Sequence, residues 1–465
     1  MEPERVRAVV KGYDIRGRVP TDWDEPMAHA FGAAFAEVVG EPGAGGESRI
    51  VLGHDMRSSS PGLARAFADG ARSRGTDVVW IGLASTDELY FASGHLHLPG
   101  AMITASHNPA GENGIKLCRP GAVPLGRSTG LTELRDLVIA GPPAPVRPER
   151  LGRLEVTDVL AAYAAHLIEL APVSGRRLRV VADAGNGMAG HTAPAVFERL
   201  PQIELDRLYF ELDGTFPHHV ANPLDPTTLR DLQARVLATG ADVGLAFDGD
   251  ADRCFLVDER GQRVDPAAVI GLIAERVLAR EPGARIIHNL ITSRAVPQIV
   301  TELGGVPVRT PVGHSVIKAR MAEVDAAFGG EHSGHFYFRE FWRADSGMLA
   351  ALHVLAALCA TDLPLSRLMA GYQRFVSSGE INATVADAEA VLARVEAAAR
   401  AGEVSDEELS IDHLDGLTVG TPAWWFNVRA SQTEPLLRLN VEAREAATME
   451  RVRDEVLALI RKDTR

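Results

Sequence analysis

The stretch Val243-Gly244-Leu245-Ala246-Phe247-Asp248-Gly249-Asp250-Ala251-Asp252-Arg253 changes character at one point. Five apolar or small residues give way to three carboxylates at alternate positions and an arginine. A short apolar run bounded by polar, glycine-containing sequence reads as a buried strand that ends in a loop. Leu229 to Thr239, just ahead of it, has the spacing of an amphipathic helix. The same order recurs along the chain. Arg49 to Gly53, Leu178 to Asp183 and Ile286 to Asn289 read as strands, and Ala64 to Arg74, Thr157 to Leu170 and Ala267 to Arg280 as helices. Such alternation predicts an α/β fold with helices covering sheets, and polar loops at strand ends facing a shared cleft. Similar strand-to-loop units stand at Gly53-His54-Asp55, Asp183-Ala184-Gly185-Asn186-Gly187 and Asp248-Gly249-Asp250.

Breakers divide the chain. Gly141 to Pro148, with four prolines, reads as a stiff linker closing a first module at 1–148. Glu259-Arg260-Gly261-Gln262 is a turn that closes a second at 149–259, and a third ends near Phe375 (260–375). Past it, at 376–465, the α/β rhythm stops; strand-like Leu436 to Glu442 is followed by a helix over Ala446 to Arg461.

The aspartate loop has its own chemistry. Asp248, Asp250 and Asp252 converge if the loop curls, and Gly249 and Ala251 leave room for that curl. Clustered carboxylates repel one another unless a cation neutralises them, and hard oxygen ligands suit Mg²⁺. The bland alternative is a solvated acidic loop. Arg253 fits either a structural counter-charge or a phosphate clamp.

A second segment, Thr104-Ala105-Ser106-His107-Asn108-Pro109, follows the apolar run Ala101-Met102-Ile103. Asn-Pro favours a turn, so Ser106 stands at a strand-to-loop corner beside an imidazole. Alternatively this segment caps a following helix. A serine nucleophile with a divalent cation argues for phosphoryl transfer. Acyl transfer would want a G-x-S-x-G elbow, which Ser106 lacks, and would have no use for three aspartates.

Two further loops fit anionic sugar binding. In Gly329-Gly330-Glu331-His332-Ser333-Gly334-His335, Glu331 and Ser333 offer an acceptor and a donor for vicinal hydroxyls, although an ordinary turn is the other reading. Arg429-Ala430-Ser431-Gln432-Thr433-Glu434-Pro435 reads as a phosphate cradle or as a helix N-cap.

Composition sets limits. A hydrophobic share of 46% over 465 residues supplies several cores. The net charge of −14 argues against nucleic acid as a partner. Cys118, Cys254 and Cys359 form no C-x-x-C pair, which suits a reducing cytoplasm. No apolar leader opens the sequence, and the longest apolar stretch, Gly347 to Ala360, is interrupted by His353 and too short to span a bilayer, so no membrane is expected. It reads as a buried helix. The glycine-rich stretch Asp183 to Gly190 is read as a structural turn and not as a dinucleotide site.

Taken together, these segments resemble the α-D-phosphohexomutases over nearly the whole chain. Gly12-Tyr13-Asp14-Ile15-Arg16-Gly17 is similar to the family's N-terminal signature, and the serine, aspartate, Gly330–His335 and Arg429–Pro435 segments follow in the family's order. His332 within the sugar loop is similar to the phosphomannomutase/phosphoglucomutase branch, where phosphoglucosamine mutases usually carry glutamine. Trp424 to Arg429 resembles actinobacterial phosphomannomutases.

The resemblance implies three similar α/β/α-layered modules and a smaller α+β C-terminal domain around a central cleft. It implies interconversion of mannose 6-phosphate and mannose 1-phosphate, and a possible action on glucose phosphates as well, through a phosphoserine at Ser106 and a hexose 1,6-bisphosphate that also serves as activator. Mg²⁺ would be held by Ser106, Asp248, Asp250 and Asp252. His107, Lys116, Arg16 and Arg253 would act at the phosphoryl centre. Glu331, Ser333, His335 and His314 would contact sugar, and Arg429, Ser431, Gln432 and Thr433 the unreacting phosphate. An acidic protein then needs its cations gathered locally, at Arg16, Lys116, Arg253 and Arg429. Rival readings are a phosphoglucosamine mutase, a hydrolase using the same phosphoserine and a non-catalytic sugar-bisphosphate-binding regulator. A cytoplasmic monomer or homodimer is expected. Two departures stand out: Gln432 replaces the branch's usual asparagine, and Asn289 to Arg294 lacks a lysine that some relatives have, for which Arg294 is no assured substitute.

Overall fold

A computed structural model describes residues 1–40, 48–141, 146–147, 150–405, 407–430 and 436–462. Most of the expected linker Gly141 to Pro148 lies outside the described residues, and so do Ser431, Gln432 and Thr433. The described chain forms two compact units. The first takes Met1–Pro266, Met321–Phe328 and Ser333–Leu368; the second takes Ala267–Arg320, Gly329–His332 and Met369–Arg465.

The first unit opens with β1 (Ile15–Arg18), β2 (Arg49–His54), β3 (Asp77–Leu83), β4 (Gly100–Ile103), β5 (Glu112–Arg119), β6 (Val123–Pro124) and β7 (Leu154–Val156). They make one sheet in the order β1-β5-β4-β2-β3-β7, with β6 on β5. The centre is parallel, and β5 runs antiparallel to both β4 and β1. All four residues of β4 and five of the six in β2 are buried, as expected of strands covered on both faces. Helices Glu25–Val39 and Ser60–Arg72 pack closely, because Gly32 and Gly70 sit at their crossing. A Cβ at Gly32 would fall 2.0 Å from the Phe67 carbonyl oxygen. β7 lies past the expected boundary at 148, yet it pairs in parallel with β3.

A second sheet holds β8 (Leu178–Asp183), β9 (Ile203–Leu208), β10 (Val243–Phe247), β11 (Cys254–Asp258) and β12 (Arg263–Val264), ordered β12-β11-β10-β8-β9. β10 is parallel to β8 and antiparallel to β11, so the aspartate loop joins two adjacent strands. The turn at 259–262 lies inside this sheet, since β12 follows it and pairs with β11.

Next come β13 (Arg285–Asn289) and β14 (Val306–Thr310), parallel neighbours, with β15 (Phe328–Gly330) beside β13. β16 (Phe336–Phe338) and β17 (Ala344–Asp345) form an antiparallel pair in the first unit, followed there by the helix Gly347–Cys359, whose residues are nearly all buried. The last sheet, in the second unit, is β18 (Val376–Thr384), β19 (Ser410–Asp412), β20 (Leu417–Gly420), β21 (Trp424–Ala430) and β22 (Leu436–Ala443). It is antiparallel throughout, in the order β18-β22-β21-β20-β19. Helices Ala388–Arg400 and Ala446–Ile460 share a core with it. Strands flanked by helices in the first three sheets and an α+β end match the α/β reading. Among the described residues no helix is long and apolar enough to cross a membrane.

Candidate active site

Ser106 stands three residues past the end of β4, with φ of 51°, in the left-handed region that non-glycine residues seldom adopt. The element after it is β5, so the loop presents a serine and caps no helix. Its backbone N–H donates to Thr104 Oγ1 at 3.0 Å. Arg57 pins the rest of the loop. Its Nη2 donates to the carbonyls of Ser106 (2.8 Å) and Asn108 (2.7 Å), and its Nη1 to those of Pro109 (2.7 Å) and Glu112 (3.0 Å). Asp55, fully buried, pairs with Arg57 Nε at 3.2 Å and accepts from Ser60 Oγ at 2.5 Å. One guanidinium thus satisfies four loop carbonyls and holds a strained corner in place.

The aspartate loop meets this corner. Ser106 Oγ donates to Asp248 Oδ2 at 2.8 Å and lies 3.3 Å from His107 Nδ1. A Cβ on Gly249 would fall 2.4 Å from the Ser106 carbonyl oxygen, so only glycine permits the approach. Asp248 also accepts from Arg253, at Oδ2 from Nε (2.9 Å) and at Oδ1 from the backbone N–H (3.2 Å). Lys116 reaches in from β5 and donates to Asp250 Oδ2 and Asp252 Oδ2, both at 2.6 Å. Thr86 Oγ1 donates to Asp250 Oδ2 at 2.5 Å.

Charge is dense here and water is scarce. Burial pushes the Asp248 carboxyl up to about 7, with Asp252 and Asp250 adding to it against the pull of Arg253. Burial acts the same way on Asp250, but the Lys116 charge and the hydrogen bonds from Lys116 and Thr86 outweigh it and hold Asp250 below the usual carboxylate range. Lys116, despite burial, is raised well above an ordinary lysine by Asp250 and Asp252. Burial, then Arg253 and Arg16, depress His107 well below an ordinary histidine. One carboxylate oxygen from each of Asp248, Asp250 and Asp252 lies within 4.8 Å of the others. Asp250 Oδ1 and Asp252 Oδ1 are buried without a hydrogen-bond partner. Three hard oxygen ligands with unpaired buried atoms fit Mg²⁺.

Other expected residues join the same unit. Arg16 donates to Asn108 Oδ1 (2.8 Å) and Asp14 Oδ2 (2.7 Å). His335 bridges to Arg253 through the backbone, and its Nε2 lies 3.6 Å from Asp252 Oδ1 and 3.9 Å from Asp345 Oδ2. Ser333 Oγ sits 2.8 Å from His335 Nδ1.

In the second unit, buried Glu331 accepts from Asn289 Nδ2 at 3.0 Å. Asn289 Oδ1 in turn accepts from the Ile291 and Thr292 N–H groups and from Thr292 Oγ1, so the strand-end asparagine organises its own turn. Arg294 is committed elsewhere: its N–H donates to Glu442 Oε2 (3.0 Å) and its Nη1 to the carbonyls of Thr421 and Trp424. Arg429, at the end of β21, donates to Glu380 Oε2 at 2.6 Å, and Arg438 lies 3.2 Å from the other oxygen of that carboxylate. His314 is the first residue of the helix His314–Val324.

Sequence reading missed Arg57, Thr86, Asn289 as a partner of Glu331, Asp345 and Glu380. For Arg57 the Asp55-x-Arg57 pair just past a buried strand was a visible signal. For Thr86 it was the capping pattern Ser85-x-x-Glu88. Glu380 gave none.

Known proteins share this design. The sequence matches the family descriptions "Phosphoglucomutase/phosphomannomutase, alpha/beta/alpha domain I" over residues 7–139, domain II over 161–261, domain III over 265–375, and "C-terminal domain" over 380–459. It is 40% identical over 458 residues to a phosphomannomutase of Salmonella montevideo, covering 97% of this chain and 98% of that one. It is also 40% identical over 456 residues to phosphohexose mutases of Xanthomonas campestris, with the same coverage. A solved phosphoglucomutase/phosphomannomutase family protein from Burkholderia thailandensis superposes with a TM-score of 0.87 at 33% identity, covering 98% of this chain and 97% of that one. With all four domain descriptions matched in order and relatives aligned end to end, this chain belongs to the phosphoglucomutase/phosphomannomutase family, the α-D-phosphohexomutases.

Proposed function

We propose that this enzyme is a phosphomannomutase, interconverting mannose 6-phosphate and mannose 1-phosphate, with glucose phosphates as the second substrate pair to test. Relatives named phosphomannomutase, 40% identical over almost the whole chain, support the activity. The observation that carries the mechanism is the Ser106 hydroxyl hydrogen-bonded to Asp248 inside a buried cluster of three aspartates.

In this reading Ser106 is phosphorylated in the working enzyme. Asp248, Asp250, Asp252 and an oxygen of the phosphoserine hold Mg²⁺, which when bound neutralises charge on the transferring group. The Ser106 Oγ–P bond breaks as a bond forms from phosphorus to the free hydroxyl of a hexose monophosphate. The hydroxyl proton passes to His107, which is neutral in the resting site. Lys116, kept protonated by its two aspartates, and Arg16 and Arg253 stabilise the charge. The product is a hexose 1,6-bisphosphate; its other phosphate then returns to Ser106 by the reverse transfer, and His107 gives back the proton. Added bisphosphate activates by phosphorylating Ser106. Glu331, Ser333, His335 and His314 contact the sugar, and Arg429, Ser431, Gln432 and Thr433 hold the phosphate that does not react. Water must stay out, because a phosphoserine open to it would hydrolyse.

We place the domains at 1–148, 149–259, 260–375 and 376–465, with β7 and β12, each just past a boundary, completing the preceding sheet. Three buried free thiols suit the reducing cytoplasm, where we place the enzyme as a monomer or homodimer.

Initial rates with mannose 1-phosphate, glucose 1-phosphate and glucosamine 1-phosphate, with Mg²⁺ and a trace of hexose 1,6-bisphosphate, test this. The highest kcat/KM is expected for mannose 1-phosphate. A win for the amino sugar would make the enzyme a phosphoglucosamine mutase. Phosphate release exceeding isomer formation would make it a hydrolase, and no turnover of any sugar would leave a binding regulator.

A further inference from the structure

The buried turn Ser85-Thr86-Asp87-Glu88 opens the helix Thr86–Leu96 in the first unit and has no place in the mechanism above. All four side chains are buried and polar. Ser85 and Glu88 form a reciprocal cap. Asp87 is tied to the neighbouring framework: it accepts from Tyr163 OH at 2.8 Å, from Ser346 Oγ at 2.6 Å and from Ser85 Oγ. Ser346 is itself the N-cap of the helix Gly347–Cys359. The turn is therefore fixed to two further elements before it touches the aspartate loop.

Thr86 makes that touch, and it grips one residue twice. Its Oγ1 donates to Asp250 Oδ2 at 2.5 Å, and its backbone N–H donates to the Asp250 carbonyl at 3.0 Å. Lys116 shares the same carboxylate oxygen, but it divides itself between Asp250 and Asp252 and so defines neither alone. The other oxygen, Oδ1, is left buried and unpaired. A threonine suits the task, because β-branching restricts χ1 and so fixes the direction of the hydroxyl.

We propose that Thr86 is a positioning residue for the divalent cation: by holding Asp250 at Oδ2 and at the backbone, it keeps Oδ1 available as a ligand. This rests on the Mg²⁺ reading of the aspartate loop. Partners that orient a carboxylate ligand are worth about 10–100-fold in metal affinity.

The test is calorimetric titration of the full, dephosphorylated chain with Mg²⁺ alone, beside the melting temperature of each metal-free protein. Thr86→Val keeps the shape and removes the donor; it should weaken Mg²⁺ binding by about tenfold or more, with the metal-free protein still folded. Thr86→Ser keeps the donor and should stay within about threefold of the parent. Wild-type affinity in folded Thr86→Val overturns the proposal, since a merely structural threonine would lower stability and leave affinity alone. If Thr86→Val fails to fold, Thr86→Ser and Thr86→Ala decide between them: equal affinities overturn the proposal, and a gap of about tenfold between serine and alanine supports it. Absence of Mg²⁺ binding in the parent chain would remove the metal reading itself, which is a different failure from an unchanged affinity in the valine variant.

Discussion

The serine corner and the Arg429 strand end both present an arginine in buried surroundings, and they use it in opposite ways. Arg57 spends its guanidinium on the protein, on four carbonyls of the loop that bears Ser106. Among the described residues Arg429 donates to the Glu380 carboxylate, which it shares with Arg438. The first arrangement pre-organises a reacting atom. The second leaves a largely buried cation held by a carboxylate, which suits the phosphate contact proposed for it. In the roles proposed above, reaction and recognition thus use their arginines differently, and each half of that contrast is open to mutation.

The largest effect belongs to the reacting atom. Ser106→Ala should cut turnover by at least about a thousandfold, with circular dichroism and melting temperature unchanged. Near-normal activity would remove the nucleophile assignment and the contrast with it.

Next comes the clamp. Arg57→Met would remove a donor from four carbonyls, of which Pro109's keeps the Glu112 N–H, and take from buried Asp55 its counter-charge, at a stability cost of about 3–5 kcal/mol. The folded fraction should also turn over about 10–100-fold more slowly, because the serine loop would lose its geometry. Arg57→Lys keeps the charge but not the fork, and should recover part of the stability and little of the rate. Full kcat in folded Arg57→Met, measured after correction for unfolded protein, would show that the loop supports itself.

These two cases also mark what the sequence could tell. Val243–Phe247 and Leu178–Asp183 were read with the bounds they have, because each is a mostly apolar run followed by polar, glycine-containing sequence. Ser106 and the three aspartates were legible for a related reason: each is an unusual polar cluster just past such a run. Arg57 and Thr86 leave a local signal but not their role, since their value lies in partners 49 and 164 residues away. Locally, one is a charged residue after a strand and the other a threonine in a helix cap. Glu380 lies in β18 with nothing in its neighbourhood to mark it, and it meets Arg429 only because two strands converge on β22. Topology supplies these contacts, and only long-range pairing reveals them.

On the recognition side the expected effect is smaller and of a different kind. Arg429→Gln should raise KM for mannose 1-phosphate by about tenfold while lowering kcat less, as expected when binding to a non-reacting phosphate is lost. Steady-state kinetics separate the two constants. A fall in kcat with KM unchanged would move Arg429 from recognition to reaction and dissolve the contrast between the two arginines.

The smallest effect comes from Glu88, in the turn that mounts the aspartate loop. Burial, with the Asp87 charge adding to it, raises its carboxyl from 4.5 to about 8, against one backbone hydrogen bond from Ser85. His191 Nε2 is 3.8 Å away, but burial depresses that imidazole and denies Glu88 a counter-charge. A group bound to its proton more tightly in the folded state contributes fully below pH 4.5, and that contribution is lost as pH rises towards 8. Glu88→Gln, neutral at every pH, should therefore gain stability relative to the parent between pH 5.5 and pH 8, on the order of 2 kcal/mol. Melting temperatures of the two proteins at both pH values measure that difference. If the glutamine variant instead loses ground at pH 8, Glu88 is ionised against a protonated His191, and the turn is held by an ion pair where the burial argument gives it a neutral carboxyl in a cap.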